Sequence, residues 1–408
     1  MTAAPGSVEP VADDPRPVWV NGLAAGTGYL LNTGLVLTSA ALTGPRGGTV
    51  SVRRRADASP ERFTTAWTGP GIPSVDAPDV ALLCAASGHH PASAAAPRPV
   101  RWGRLVTRRA DVRVHVGALS APGAEPAWGV LRGTLGTCSA VKSDRLHITL
   151  AGPAPGAPDS GARSSWTELR GAAVTSRSLL IGVVTETGFE PGLGWLRAVS
   201  AERLLRDQGF DELTGAVGLG ALEAVELQPV LRKAGNLPRR VGRAADQAAG
   251  QHMPTGPGTD AAEADAGPAN PGAEALAVWC SRAGSFGVRL LTGADDHAGR
   301  LARGLVERMH ARGWASGFLA SGPTDADLSV LTDVAVPVLL VLDRAQERAH
   351  DLRALLYAVT RRTSTGPAGA PLRLLLTAPT AGDWWEDARV ESVLLRDLPP
   401  GTEHVLPV

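Results

Sequence analysis

The texture of the chain changes once along its length, and that change decides what it can fold into. From Val18 to about Gly194 it consists of short apolar runs with alternating polarity, split by Gly, Pro and Ser turns. The runs are Gly28 to Thr38, Val80 to Leu83, Val112 to Val116, Leu146 to Leu150 and Leu179 to Thr185. Runs of this length and spacing predict an all-β barrel or sandwich. Ala201 to Asp207 and Leu219 to Leu227 read as short helices. From Gln228 to Pro271 the chain is rich in Gly, Pro, Ala and acidic residues without sustained periodicity, which predicts a linker. After it, candidate strands Val288 to Leu291, Ala315 to Leu319, Val338 to Leu342, Leu372 to Leu376 and His404 to Leu406 alternate with candidate helices. These helices are Ala298 to Arg312, Asp325 to Leu331, Glu347 to Thr360 and Asp383 to Val390. Such alternation predicts a parallel, doubly wound sheet of about five strands. The expected organisation is a tail over 1–15, a β domain over 16–227, a linker over 228–271 and an α/β domain over 272–408.

Composition narrows the function. The apolar share is 44% of 408 residues, enough for real cores. A formal net charge of zero argues against nucleic acid or an anionic membrane as partner. Cys84, Cys138 and Cys280 are odd in number and far apart, which fits no zinc or disulfide spacing and predicts reduced thiols packed as small apolar groups. With no basic leader and no long apolar run, a cytoplasmic location is expected. Lysine occurs only at Lys142 and Lys233.

The stretch from Gly28 to Ala41 ends Leu37-Thr38-Ser39-Ala40-Ala41. It resembles the strand-turn-strand of trypsin-fold serine proteases, which usually closes Leu-Thr-Ala-Ala-His. On that resemblance Ala41 stands where the general base belongs, and a methyl group accepts no proton. Asp79, in Pro78-Asp79-Val80-Ala81-Leu82-Leu83, resembles the aspartate that orients the base; taken alone it reads as a turn residue before a strand. Trp166 to Val174, followed by Leu179 to Thr185, resembles the bacterial nucleophile block Trp-x-Gly-Met-Ser-Gly-Ala-Ala-Val. This alignment puts Arg170 at the nucleophile and Glu168 at the oxyanion glycine, where its charge would oppose a developing anion. Asp159-Ser160-Gly161 also looks like a nucleophile motif, yet it falls in a Gly/Pro/Ser-rich loop. A relocated triad would need Ser160 and one of His89, His90, His115 or His147. An Arg170–Asp79 ion pair across the site is expected.

Val288 to Arg303 has the layout strand, loop, helix and resembles the P-loop region of STAND-class signalling ATPases, often fused to trypsin-like domains in actinobacterial proteins. A working loop reads Gly-x-x-x-x-Gly-Lys-Ser/Thr. Here Gly293 and Gly299 are one residue too far apart, Asp295 and Asp296 would repel phosphate, and Arg300 replaces the lysine. Pro337 to Gln346 resembles a Walker B strand: Asp343 remains, and Gln346 replaces the acid that activates water. Leu374 to Trp385 resembles the strand carrying a sensor arginine, with Pro379 at that position. Its Gly-Asp-Trp-Trp reads as a helix capped by Asp383, followed by packed indoles. The resemblance therefore implies a trypsin-like double barrel followed by a P-loop NTPase-like sheet, both without their chemistry. The expected protein is a pseudoenzyme with no cofactor and no metal. It would act by binding a protein partner in a bacterial signalling or conflict system. An active protease and a nucleotide-binding, non-hydrolysing sensor remain as alternatives.

Overall fold

A computed structural model of the chain describes residues 16–54, 59–71, 78–86, 99–107, 109–120, 127–136, 145–151, 168–190, 193–215, 222–232, 271–293, 297–365, 370–396 and 403–405. These residues form two compact units. One runs to Gln228 and includes Ser329–Val336; the other comprises Pro229–Leu328 and Pro337–Val408.

The first unit opens with strands β1 (Pro17–Asn21), β2 (Ala25–Asn32) and β3 (Leu35–Ser39), the one-turn helix α1 (Ala40–Thr43), then β4 (Thr49–Arg53), β5 (Glu61–Gly71) and β6 (Pro78–Ala85). The strands pair antiparallel in the order β1-β2-β3-β6-β5-β4, and β4 returns to β1, which closes a barrel. Alternation fills it: Val18, Val20, Leu30, Val36, Val50, Val52, Phe63 and Leu83 form its interior. Gly28 is needed there, since a Cβ would lie 2.8 Å from side-chain carbons of both Val20 and Val36.

Next come β7 (Trp102–Arg104), β8 (Val112–Ser120), β9 (Ala127–Leu135), β10 (Arg145–Leu150), β11 (Ala173–Ser176), β12 (Leu179–Glu190) and β13 (Leu193–Ser200). They are followed by the helices α2 (Ala201–Leu204) and α3 (Gln208–Thr214) and by β14 (Leu222–Ala224). Strands β8, β9, β10, β13, β12 and β11 pair in that order, and β11 also pairs with β8. This closes a second six-stranded antiparallel barrel, to whose β12 the short strands β7 and β14 add in parallel. Two such barrels are the architecture that the sequence resemblance implies for this half.

Every residue of β3 is buried. One face of β3 lines the first barrel. The other, with Leu35 and Leu37, joins Tyr29, Leu82, Leu180, Val183 and Val199 in a core shared by both barrels. Phe210 lies in this core, with Trp67 and Trp102 edge-on at 5.1 and 5.9 Å between centroids. Asp207 caps α3 by accepting from the Phe210 amide and also takes the Trp67 indole N–H at 3.1 Å.

The second unit contains β15 (Leu231–Arg232), α4 (Pro271–Ser281), β16 (Phe286–Thr292), α5 (His297–Ala311), β17 (Ala315–Leu319), α6 (Asp325–Leu328), β18 (Val338–Leu342), α7 (Ala349–Thr365), β19 (Leu372–Ala378), α8 (Gly382–Glu391), α9 (Val393–Arg396) and β20 (Glu403–Val405). The sheet order is β15-β17-β18-β19-β16-β20, parallel throughout except for β15. Leu291, Phe318, Leu339, Val341 and Leu375 face α4 and α5 in one cluster. Leu340, Leu342, Leu374 and Leu376 are equally buried, as apolar runs require when a parallel sheet is covered on both faces. Cys280 lies in this core and burial pushes its thiol up to about 12, consistent with an apolar packing role; Cys84 is half-buried and Cys138 lies outside the described residues. No helix among the described residues is long and apolar enough to cross a membrane.

Three expectations need correction. Leu219 to Leu227 is not helical where described: β14 is followed by a turn, because pairing with β7 outweighs the helix-like spacing of Leu222 and Val225. The expected linker carries structure at both ends, β15 and α4; residues 233–270 lie outside the described residues. Helix α8 starts at Gly382 with Ala381 as its cap position, so Asp383 stands in its first turn and does not cap it.

Phe210→Ala should lower the stability of the first unit by about 3–5 kcal/mol, the range for deleting a buried phenyl ring. Urea unfolding followed by tryptophan fluorescence measures this.

Candidate functional site

Positions 41, 79 and 170, which the sequence resemblance singles out, converge where the two barrels of the first unit meet. Strand β3 runs into α1 with Ser39 as the cap residue, which leaves Ala41 exposed. Ser39 donates its hydroxyl to the Asp79 carbonyl at 3.2 Å, so β6 begins beside α1. The turn containing Glu168 and Arg170 is held from the first barrel by one residue, Thr27. Its amide donates to the Arg170 carbonyl at 3.0 Å, and its hydroxyl donates to the Glu168 carbonyl at 2.9 Å. Gly171 follows with φ of 82°; a Cβ there would lie 1.9 Å from the Thr27 carbonyl oxygen and 3.0 Å from the Ser39 amide nitrogen. Only glycine meets both demands.

Ala41 supplies no base and Arg170 no hydroxyl. Asp79 has a different partner from the one expected. Its carboxylate accepts a hydrogen bond from Arg145, the first residue of β10. Arg145 also bonds Glu186 on β12 at 3.3 Å, and Glu186 accepts from Arg197 on β13 at 3.0 Å. The result is a ladder of alternating charge, Asp79–Arg145–Glu186–Arg197. Side chains of Asp79 and Arg145 are only 15% and 17% exposed, so the pair is largely desolvated. Burial pushes the Asp79 carboxyl above its ordinary value; Arg145 pulls it back, Glu186 raises it and Arg203 lowers it. The guanidinium paired with Asp79 donates hydrogen bonds and accepts no proton. Arg145 was missed in the sequence because it reads there as a polar residue before an apolar strand.

The expected Arg170–Asp79 ion pair is absent. Arg170 is half-buried and its Nε is buried without a hydrogen-bond partner. His115 and His147 are exposed on strands whose alternate residues, Val114, Val116, Leu146 and Ile148, fill the second barrel. Ser160, His89 and His90 lie outside the described residues.

In the second unit, β16, β18 and β19 are parallel and in register, so their carboxyl ends share one edge of the sheet. Gly293 donates its amide to the Ala378 carbonyl at 3.3 Å, and Asp343 accepts from the Thr377 hydroxyl at 2.6 Å. The Arg344 amide donates to that same hydroxyl at 3.2 Å, with Arg344 left-handed at φ of 51°. Gln346 is half-buried with its Oε1 unpartnered. Gly299 and Arg300 fall in the first turn of α5, with Arg300 exposed, and Pro379 is exposed beyond β19. Asp295 and Asp296 lie outside the described residues. No group of three or more potential metal ligands occurs among the described residues.

No family model matches the chain, and no curated protein matches it by sequence. Solved structures similar to it include the Rv3671c protease in its inactive form: 19% identical, covering 50% of this chain and 90% of that one, TM-score 0.32. Another is human heparin binding protein: 16% identical, covering 48% and 92%, TM-score 0.33. A third is the scabies mite inactivated protease paralogue S-D1: 11% identical, covering 52% and 98%, TM-score 0.36.

The ladder makes a pH-dependent prediction. In Arg145→Met the Asp79 carboxyl loses its counter-charge and rises further above its ordinary 3.8. A carboxyl raised in the folded state holds its proton more tightly there than in the unfolded chain. The deficit is therefore full above the folded value and vanishes below the unfolded one. We expect a loss of about 3–5 kcal/mol at neutral pH that shrinks towards about pH 4. Urea melts across that range test it, and a pH-independent loss would refute the assignment.

Proposed function

We propose that the protein is a non-catalytic binding or scaffolding protein, built on a trypsin-like double barrel joined to a degenerate P-loop NTPase-like domain. The observation that carries this reading is the fate of Asp79. Acyl transfer needs a hydroxyl, a base and an acid that orients the base. Position 41 is alanine, position 170 is arginine, and the remaining acid is bonded to Arg145. Reversing the loss would take several simultaneous changes, because residues that act as a unit contribute little singly.

The sheet of the second unit supports the same conclusion. Its first parallel strand, β16, lies between the fourth and the fifth, β19 and β20. Ligands of open α/β sheets bind at the carboxyl ends of such strands, where the chain reverses its direction of winding. Gly293 follows β16 at that place; in the sequence Asp295 and Asp296 come soon after it, and no lysine follows Lys233. Phosphate would meet negative charge without the usual grip. Asp343 retains a carboxylate one lone pair of which is taken by Thr377. Recognition of a protein partner, in a signalling or conflict setting, is the function we assign.

A fluorophosphonate probe should leave the intact protein unlabelled, and calorimetric titration with Mg·ATP should give no heat above dilution. Labelling at Ser160 would establish a relocated protease triad, and micromolar Mg·ATP binding would establish a nucleotide sensor. Either result overturns the proposal.

A further inference from the structure

We infer that the cleft between the barrels binds the carboxylate of an acidic side chain on a partner polypeptide, with Arg170 as its counter-ion. This rests on the non-catalytic binding reading and names the chemistry that such binding would use.

The inference follows from charge accounting in the cleft. Asp79 and Glu186 are matched by Arg145 and Arg197, so the ladder is neutral in itself. Arg170 has no part in it: among the described residues its side chain meets no acceptor, and its Nε is buried without one. The Nε–H, shielded from water and given no acceptor, costs on the order of 1–3 kcal/mol, and the rest of the half-buried guanidinium is left to pair with an incoming carboxylate. The guanidinium cannot shed its charge to escape that cost. Nor can its backbone readily turn it away, since Thr27 holds the Arg170 carbonyl and Gly171 is wedged against Thr27 and Ser39. Ala41 is exposed and carries only a methyl group. Glu168, two residues before Arg170, is the nearest acid in sequence and makes no ion pair with it; it adds a like charge that an incoming carboxylate must tolerate.

Fluorescence polarisation with labelled octaglutamate tests this on the intact chain, with labelled octaglutamine as the neutral probe. Octaglutamate should bind and octaglutamine should not. Arg170→Met should weaken octaglutamate about tenfold or more, the effect of losing one charge-assisted hydrogen bond. Arg170→Lys should restore part of the affinity, and Glu168→Gln should strengthen it a few-fold. Arg113→Met, an exposed arginine on the outer face of β8, should change nothing, which separates the cleft from general surface attraction. Thermal melts identify any variant that fails to fold, and the Glu168→Gln arm still tests the idea in that case. Equal binding by wild type and Arg170→Met, equal losses in Arg170→Met and Arg113→Met, or no binding of octaglutamate would overturn this inference. Those results leave the binding reading standing, because only probe labelling or Mg·ATP binding removes that.

Discussion

Thr27 holds the first unit together at the point where it matters. Its amide and hydroxyl both donate to the turn at 168–170, and its carbonyl accepts from Thr38 at 2.7 Å while lying against Gly171. One residue of the first barrel thus fixes the backbone of the turn at 168–170. The shared apolar core built on β3 sits beneath this joint and excludes water from it. Positions 41, 79 and 170 converge because of that joint and not because any of them bonds to another.

The proposed loss of chemistry would take two physical routes in this cleft. At Ala41 a methyl group stands where the resemblance puts the side chain that would move a proton. At Asp79 the carboxylate remains and is bound to a cation. The second route is costly to undo, since a buried acid without Arg145 would be left poorly solvated. A single substitution at position 41 would place an imidazole beside an aspartate already committed elsewhere.

Much of this was readable in the sequence, for reasons that differ along the chain. Strands Ala315–Leu319 and Val338–Leu342 appear at their predicted limits, because apolar runs flanked by turn residues have one stable place in a covered sheet. The convergence at the cleft followed from motifs whose local geometry is strongly determined, such as the helix turn after β3. Arg145 could not be anticipated: its partner is 66 residues away, and nothing in the run Arg145–Leu150 distinguishes an ion-paired arginine from a solvated one. Helix α4 was hidden by its Pro-Gly-Ala beginning, which reads as linker until Trp279 and Cys280 are seen packed against α5. The stretch after Leu219 misled through apolar spacing that suits a helix, where a parallel partner strand prevailed.

The Thr27 joint has a consequence for how the chain reaches its native state. The contact with Glu168 closes a loop of 141 residues. Contacts of such long range are entropically late and make folding slow. During synthesis the first barrel therefore emerges with its outer face, Leu35, Leu37 and Leu82 among others, bare until the second barrel has been made. Over that interval the nascent chain exposes the sticky surface that chaperones retain, and its passage to maturity depends on how quickly the later strands arrive to cover it.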